Sequence, residues 1–199
     1  MTSTIEKRLA EQGVVLPQAA APAANYVPFM TSGNLLFTAG QLPLADGKLI
    51  ATGLLGRDLD VAAGKDAARM CAINILAQAK AALGDLDRIK NLVKINVFVA
   101  STSDFTEQHL VANGASDLLA AVLGDKGKHA RAAVGMASLP RGIPVEIEVI
   151  LEVEDAPARR APARRVAAKP AARPAAKRKA APKTRKKAAK KKAARKKKN

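Results

Sequence analysis

Residues 145–153 have the sequence VEIEVILEV, and their alternation decides the fold. Every odd position from Val145 to Val153 is apolar, whereas Glu146, Glu148 and Glu152 occupy even positions. Because successive side chains of a strand point to opposite faces of its sheet, this pattern predicts a strand with one buried face and one polar face.

The sequence before this strand predicts further strands and helices in an order typical of an α+β domain. The other strands are predicted at 26–31, 35–39, 49–51, 93–99 and 130–137. The helices are predicted at 4–12, from Asp58 or Asp60 to Leu83, and from Asp104 onward with Leu110, Gly114, Leu118 and Ala121 along one side. We expect an α+β layer, with two helices on one face of a mixed sheet. The other sheet face must be solvated or covered by another subunit, which favours oligomerisation.

Charge divides the chain of 199 residues into two parts. Residues 156–199 contain 20 of the 34 Lys and Arg residues and none of the 17 acidic residues. Residues 1–155 therefore carry a net charge of −3, and their number matches one domain with a substantial core. We expect a folded domain over 1–155 and a separate basic tail over 156–199.

The tail is predicted to be disordered, because its 20 basic residues, 16 alanines and 5 prolines cannot bury a core. Blocks of like charge are often interaction tails, and the expected partner is DNA or RNA, ahead of an acidic membrane surface. The alternative is a solubilising extension. The candidate nucleic-acid-binding residues are Lys177, Arg178, Lys179, Arg185, Lys186, Lys187, Lys190, Lys191, Lys192, Arg195, Lys196, Lys197 and Lys198.

The composition argues against several classes of protein. Cys71 is the single cysteine, which excludes a disulfide framework and a multi-cysteine metal site, and two histidines argue against a His-rich metal centre. No glycine motif of a phosphate-binding or dinucleotide-binding loop occurs. Together with the few cysteines and histidines, this leads us to expect neither cofactor nor metal. No run of 18 apolar residues occurs, so we expect no membrane span and a cytoplasmic location.

Arg131 and Glu146 are the candidate catalytic residues. Arginine offers a planar, two-pronged donor that suits a substrate carboxylate, and a glutamate can order or deprotonate a water molecule. The two side chains would converge if their strands were neighbours or faced a common cleft. The alternative is a structural Arg–Glu pair that holds two strands together.

Several motifs resemble the RidA family, also called YjgF/YER057c/UK114, and the resemblance spans residues 14–154 in order. The motifs are Gly40-Gln41-Leu42-Pro43, Ala130-Arg131-Ala132-Ala133-Val134, Leu139-Pro140 and Val145-Glu146-Ile147-Glu148. The segment Val111-Ala112-Asn113-Gly114-Ala115-Ser116-Asp117 is most similar to a divergent branch of that family.

The resemblance implies a chorismate-mutase-like fold, assembled as a homotrimer with clefts between subunits. It also implies cofactor-free hydrolysis of reactive enamines and imines, such as 2-aminoacrylate, to 2-oxo acids and ammonia. Arg131 would bind the substrate carboxylate, and Glu146 would position the attacking water. The further substrate-binding residues implied are Gly40 and Ala133, through backbone groups, and Tyr26 and Asn113, as lining of the cleft.

Two other functions stay open on the sequence. The first is a non-catalytic trimeric scaffold, or a nucleoid-associated protein whose main role is binding nucleic acid. The second is ribonuclease activity, which has been attached to the family by name. The sequence offers no histidine pair or metal cluster in support of the second.

Overall fold

The computed structural model describes residues 3–154. The tail 156–199, with all its candidate nucleic-acid-binding residues, lies outside the described residues. The helices are α1 (Thr4–Glu11), α2 (Val61–Leu83) and α3 (Gln108–Leu123). The strands are β1 (Phe29–Ser32), β2 (Leu35–Thr38), β3 (Leu44–Ala45), β4 (Lys48–Leu49), β5 (Ile89–Ala100), β6 (Ala130–Met136) and β7 (Val145–Val153).

Five strands form one mixed sheet in the order β1-β2-β7-β5-β6. The β5–β6 pair is parallel, and the other neighbours are antiparallel. Strand β6 therefore occupies one edge, and β5 separates it from β7. The expected α+β layer over a mixed sheet is confirmed. In addition, β3 and β4 form a separate hairpin.

The alternation in β7 is confirmed. Its odd residues are buried in the core and its even residues are half-buried on the opposite face. The same division continues in β5, where Ile95, Val97 and Val99 are buried and Asn96 and Phe98 are half-buried. Helices α2 and α3 cover the apolar face of the sheet.

Helix α2 has the predicted ends. The Asp60 side chain accepts a hydrogen bond of 2.8 Å from the backbone N–H of Ala63, which caps the first turn. Gly84 ends the helix with φ of 77°, a conformation that favours glycine. No helix within residues 3–154 is long and apolar enough to cross a membrane.

The predicted start of α3 was wrong, and its predicted side is right only in part. The helix begins at Gln108, because residues 101–105 have other partners: the Thr102 N–H donates to Leu55, and the Phe105 N–H closes a turn on Thr102. Ala121 is exposed. Leu118 of the predicted side is buried, together with Val111, Ala112, Ala115, Leu119, Val122 and Leu123.

Two strand predictions also need correction. Tyr26 precedes β1 rather than lying in it, since its N–H donates to the Ala24 carbonyl in a tight turn. The short strand predicted at 49–51 is half of the β3–β4 hairpin. Its two turn residues, Asp46 and Gly47, have φ of 49° and 75°, as the tightest hairpin turns require.

Helices α2 and α3 cross closely at Gly114. A Cβ atom at this position would overlap the carbonyl oxygen of Lys65 on α2. Gly64 on α2 is similarly close to the Val111 side chain. The absence of a side chain at Gly114 therefore allows α3 to approach α2.

We predict that Gly114→Ala lowers the free energy of unfolding by about 1–3 kcal/mol, because the added methyl group overpacks the helix crossing. In an exposed helix the same change would stabilise by about 1 kcal/mol. Ala121→Gly, at an exposed position of the same helix, measures that intrinsic term. Chemical denaturation checks both variants, and a Gly114→Ala protein as stable as the wild type would contradict the prediction.

Candidate active site

Helix α3 holds the Arg131 side chain through three acceptors. Arg131 Nη1 donates to Asn113 Oδ1 at 2.9 Å and to Ser116 Oγ at 3.0 Å. Its Nη2 donates to the His109 carbonyl oxygen at 3.1 Å. The acceptors stand at positions i, i+4 and i+7 of α3, so one side of the helix presents all three. The guanidinium is thereby fixed against the helix, although the residue is exposed.

All three acceptors are uncharged, so they orient the cation without neutralising it. Arginine has five N–H donors, and three are used here, which leaves Nε–H and one N–H of Nη2. No carboxylate in residues 3–154 forms an ion pair with Arg131. A small carboxylate could take the two remaining donors and supply the missing charge.

Glu146 packs against Gly40, another of the predicted site residues. A Cβ atom at position 40 would overlap the Glu146 carboxylate, so a larger residue there would force this side chain to move. The flanking segment is held to β7 by two backbone hydrogen bonds between Gln41 and Ile147, of 2.7 and 3.1 Å. Gly40 is thereby fixed beside the carboxylate.

The Glu146 carboxylate is half-buried and accepts no hydrogen bond from the residues that the structure describes. Burial raises the pKa of this carboxyl, and the negative charge of Glu148 on the same face raises it further. Glu148 itself accepts a hydrogen bond of 2.9 Å from Asn96. An acid with a raised pKa and unused lone pairs is suited to accept a proton from water.

Within one chain, Arg131 and Glu146 are not brought together. Arg131 is aligned with the buried Ile95 of β5, on the helical face of the sheet, whereas Glu146 is aligned with Phe98, on the opposite face. Strand β5 lies between their strands. The two side chains therefore form no pair between neighbouring strands of one chain. A common cleft would need a second chain.

The structure places Ala133 and Asn113 near Arg131 and places Tyr26 elsewhere. Ala133 is two residues from Arg131 on β6, on the same face, and Asn113 contacts the guanidinium directly. Tyr26 lies before β1 and is 46 % exposed. Its Oη accepts a hydrogen bond of 3.4 Å from the Ala23 N–H.

Ser116 and His129 are site residues that the sequence reasoning missed. His129 Nε2 lies 2.9 Å from Ser116 Oγ, and His129 Nδ1 lies 2.6 Å from the Gly127 carbonyl oxygen. The i, i+4, i+7 spacing of residues 109, 113 and 116 could have indicated a shared helix side. Nothing in the sequence shows that Arg131 contacts that side.

Neither of two surface depressions in the described domain includes a predicted site residue. One is lined by residues near Val14 and Arg69, and the other by residues near Asp58 and Phe105. Among residues 3–154, no group of three or more His, Cys, Asp or Glu side chains is placed to hold a metal ion. The candidate site thus consists of two half-sites, one around Arg131 and one around Glu146.

The chain is similar to several known proteins and matches one family. Residues 6–144 match the family described as "YjgF/chorismate mutase-like, putative endoribonuclease". The chain is 51% identical to protein TCP17 of Trypanosoma cruzi over 76% of its own length and 95% of that protein. It is 60% identical to the crystal structure of Agrobacterium tumefaciens Atu1372, of unknown function, with a TM-score of 0.72 over 76% of this chain and 93% of that one. It is 26% identical to Escherichia coli TdcF with bound serine, with a TM-score of 0.52 over 69% and 94% of the two chains.

We predict that Glu146→Gln stabilises the protein at pH 7 and that this gain disappears in acid. A carboxyl whose pKa is raised on folding contributes stability below its unfolded pKa and loses it as the pH rises through the folded pKa. Removing the charge should therefore raise the free energy of unfolding near neutrality, measured by denaturant titration at several pH values.

The matched control is Glu152→Gln, on the same strand and face. Glu152 accepts hydrogen bonds from Asn34 and Asn91, so its replacement relieves no unpartnered carboxylate. It should not stabilise the protein at pH 7. Equal gains in the two variants would show that general charge removal, rather than the burial of Glu146, is responsible.

Proposed function

Since the chain belongs to the YjgF/RidA family, we propose that it hydrolyses reactive enamine and imine intermediates, such as 2-aminoacrylate, to 2-oxo acids and ammonia. The main support for this proposal is the arrangement of the Arg131 guanidinium. Three neutral acceptors hold it, and two of its N–H donors remain unused. This arrangement suits a small carboxylate. The TdcF structure with bound serine, an amino acid with a carboxylate, offers a parallel.

In this proposal the two half-sites meet between subunits of a homotrimer. Arg131 lies on the edge strand of the sheet, and Glu146 on the face that the helices leave open. The edge of one subunit placed beside the open face of the next would bring guanidinium and carboxylate into one cleft. The same contact would cover exposed apolar side chains, among them Met30, Val134 and Met136.

The reaction needs the imine and a water molecule to be held together, and it needs one residue that carries protons. 2-Aminoacrylate tautomerises to 2-iminopropanoate, whose carbon C2 is electrophilic. Water adds its oxygen to C2 while Glu146 accepts one of its protons and passes it to the imine nitrogen, which gives a carbinolamine. Glu146 then accepts the proton of the new hydroxyl group and delivers it to nitrogen as the C–N bond breaks and the C=O bond forms. Ammonia and pyruvate are the products. Holding water and imine together supplies much of the rate, and the raised pKa of Glu146 suits both proton transfers.

The remaining predicted residues take supporting roles in the proposal. The Gly40 N–H has no hydrogen-bond partner among the described residues, so it is available to the substrate or the water. Ala133 lies on the edge strand, where alternate backbone groups are unpaired. Asn113 orients Arg131, and Tyr26 would close the cleft from the segment before β1.

For the chain beyond residue 155, we propose a second activity, the binding of nucleic acid through phosphate contacts. Its support is the charge division: +20 in residues 156–199 against −3 in the rest. Three tails on one trimer would add avidity. Through them the enzyme would associate with the nucleoid.

We predict that Arg131→Ala lowers kcat/KM for 2-aminoacrylate by about 10²–10⁴, because two charge-assisted hydrogen bonds to the substrate are lost. Arg131→Lys keeps the charge without the fork and should fall between that variant and the wild type. Ammonia release from 2-aminoacrylate generated in situ measures both. Arg69→Ala, an arginine on α2 outside the site, is the control. A wild-type protein that releases no ammonia above the uncatalysed rate would refute the deaminase.

We predict that the full chain shifts DNA or RNA in a gel and that a chain ending at Asp155 does not. The affinity should fall by roughly 10³–10⁵ between 50 and 200 mM salt if about six to ten phosphates are contacted. Replacing the 13 candidate lysines and arginines with alanine leaves seven of the 20 basic residues of the tail and should strongly weaken the shift at unchanged length. Equal shifts by the full and shortened chains would contradict nucleic-acid binding by the tail.

A further inference from the structure

A series of hydrogen bonds connects the Arg131 guanidinium to the turn before β6. Arg131 Nη1 donates to Ser116 Oγ at 3.0 Å, and Ser116 Oγ lies 2.9 Å from His129 Nε2. The other ring nitrogen, Nδ1, lies 2.6 Å from the Gly127 carbonyl oxygen. This series of hydrogen bonds therefore links helix α3, the turn before β6 and the edge strand β6.

The donor and acceptor groups determine the direction of each hydrogen bond in this series. The Gly127 carbonyl can only accept, so His129 Nδ1 carries a proton. In the neutral ring Nε2 then has a lone pair, and the Ser116 hydroxyl donates its proton to it. The lone pairs of Ser116 Oγ are left for Arg131, which can only donate. Every donor in this series of hydrogen bonds thus meets an acceptor.

We infer that Ser116 and His129 are positioning residues for the substrate-binding guanidinium. His129 directs the hydroxyl proton of Ser116 away from Arg131, and Ser116 holds Nη1 so that Nε–H and one Nη2 N–H remain for the substrate. Without the ring, the hydroxyl could rotate its proton toward Arg131 and would cease to accept. This inference rests on the proposed function, in which Arg131 binds the substrate carboxylate.

The carboxylate is bound alike before and during the addition of water, so loss of positioning should appear in KM rather than kcat. Ser116→Thr and Ser116→Val are nearly identical in shape and differ in the hydroxyl. We expect Ser116→Val to raise KM about tenfold with kcat nearly unchanged, as one hydrogen bond to a charged group contributes about that factor. Ser116→Thr should stay within about twofold of the wild type. A merely structural residue would lower stability and kcat equally in both variants.

His129 offers a second matched pair. In His129→Gln the amide oxygen can reach the place of Nε2 and accept from Ser116, whereas His129→Asn can reproduce only the bond to Gly127. We expect the glutamine variant to retain a low KM and the asparagine variant to resemble Ser116→Val. Nitrogen NMR of a protein with two histidines reports the tautomer directly, and His129 of the wild type should carry its proton on Nδ1.

Pyruvate binding, measured by calorimetry on the full chain, separates this inference from the proposed reaction. If the wild type binds pyruvate but releases no ammonia, the deaminase fails, and the inference still stands if Ser116→Val binds pyruvate about tenfold more weakly than Ser116→Thr. Equal pyruvate affinity and equal KM in these two variants would overturn the inference. So would a wild type that binds no pyruvate, since the positioned guanidinium would then serve no carboxylate.

Discussion

Strand β5 lies between β6 and β7, and the pairing of these three strands determines where each polar side chain of the site can point. Side chains alternate between the faces of a sheet, and β5 sets the register of both neighbours. Arg131 is consequently on the helical face and Glu146 on the open face. A shift of one residue between β5 and β7 would move Glu146, Glu148 and Glu152 into the core and the apolar residues of β7 out of it, and a shift between β5 and β6 would move Arg131 away from α3. The separation of the half-sites is therefore tied to the stability of the fold.

The two half-sites have complementary electrostatics. Arg131 is a cation that uncharged groups of α3 orient but do not neutralise. Glu146 is a half-buried carboxylate beside Gly40, with a pKa raised by burial and by Glu148. Neither group has a charged partner in its own chain among residues 3–154. In the proposed reaction the substrate carboxylate satisfies the first and the attacking water the second.

The sequence predicted those features that depend on the residues of a single helix or strand. The alternation from Val145 to Val153 and the Asp60 and Gly84 ends of α2 are confirmed. The membership of the YjgF/RidA family is confirmed as well. The strand order is not a local property, so the position of β5 could not be derived from periodicity. The Ser116–His129 contact likewise depends on side-chain directions from two elements that the chain joins only after folding.

Mixing two inactive variants tests most directly whether Arg131 and Glu146 act across a subunit boundary. Arg131→Ala and Glu146→Gln subunits, unfolded together and reassembled in equal amounts, would form hybrid trimers. If each cleft takes Arg131 from one subunit and Glu146 from the next, about a quarter of the clefts contain both native residues. The mixture should then recover about a quarter of the wild-type rate of ammonia release. A mixture as inactive as either variant alone would contradict a site shared between subunits.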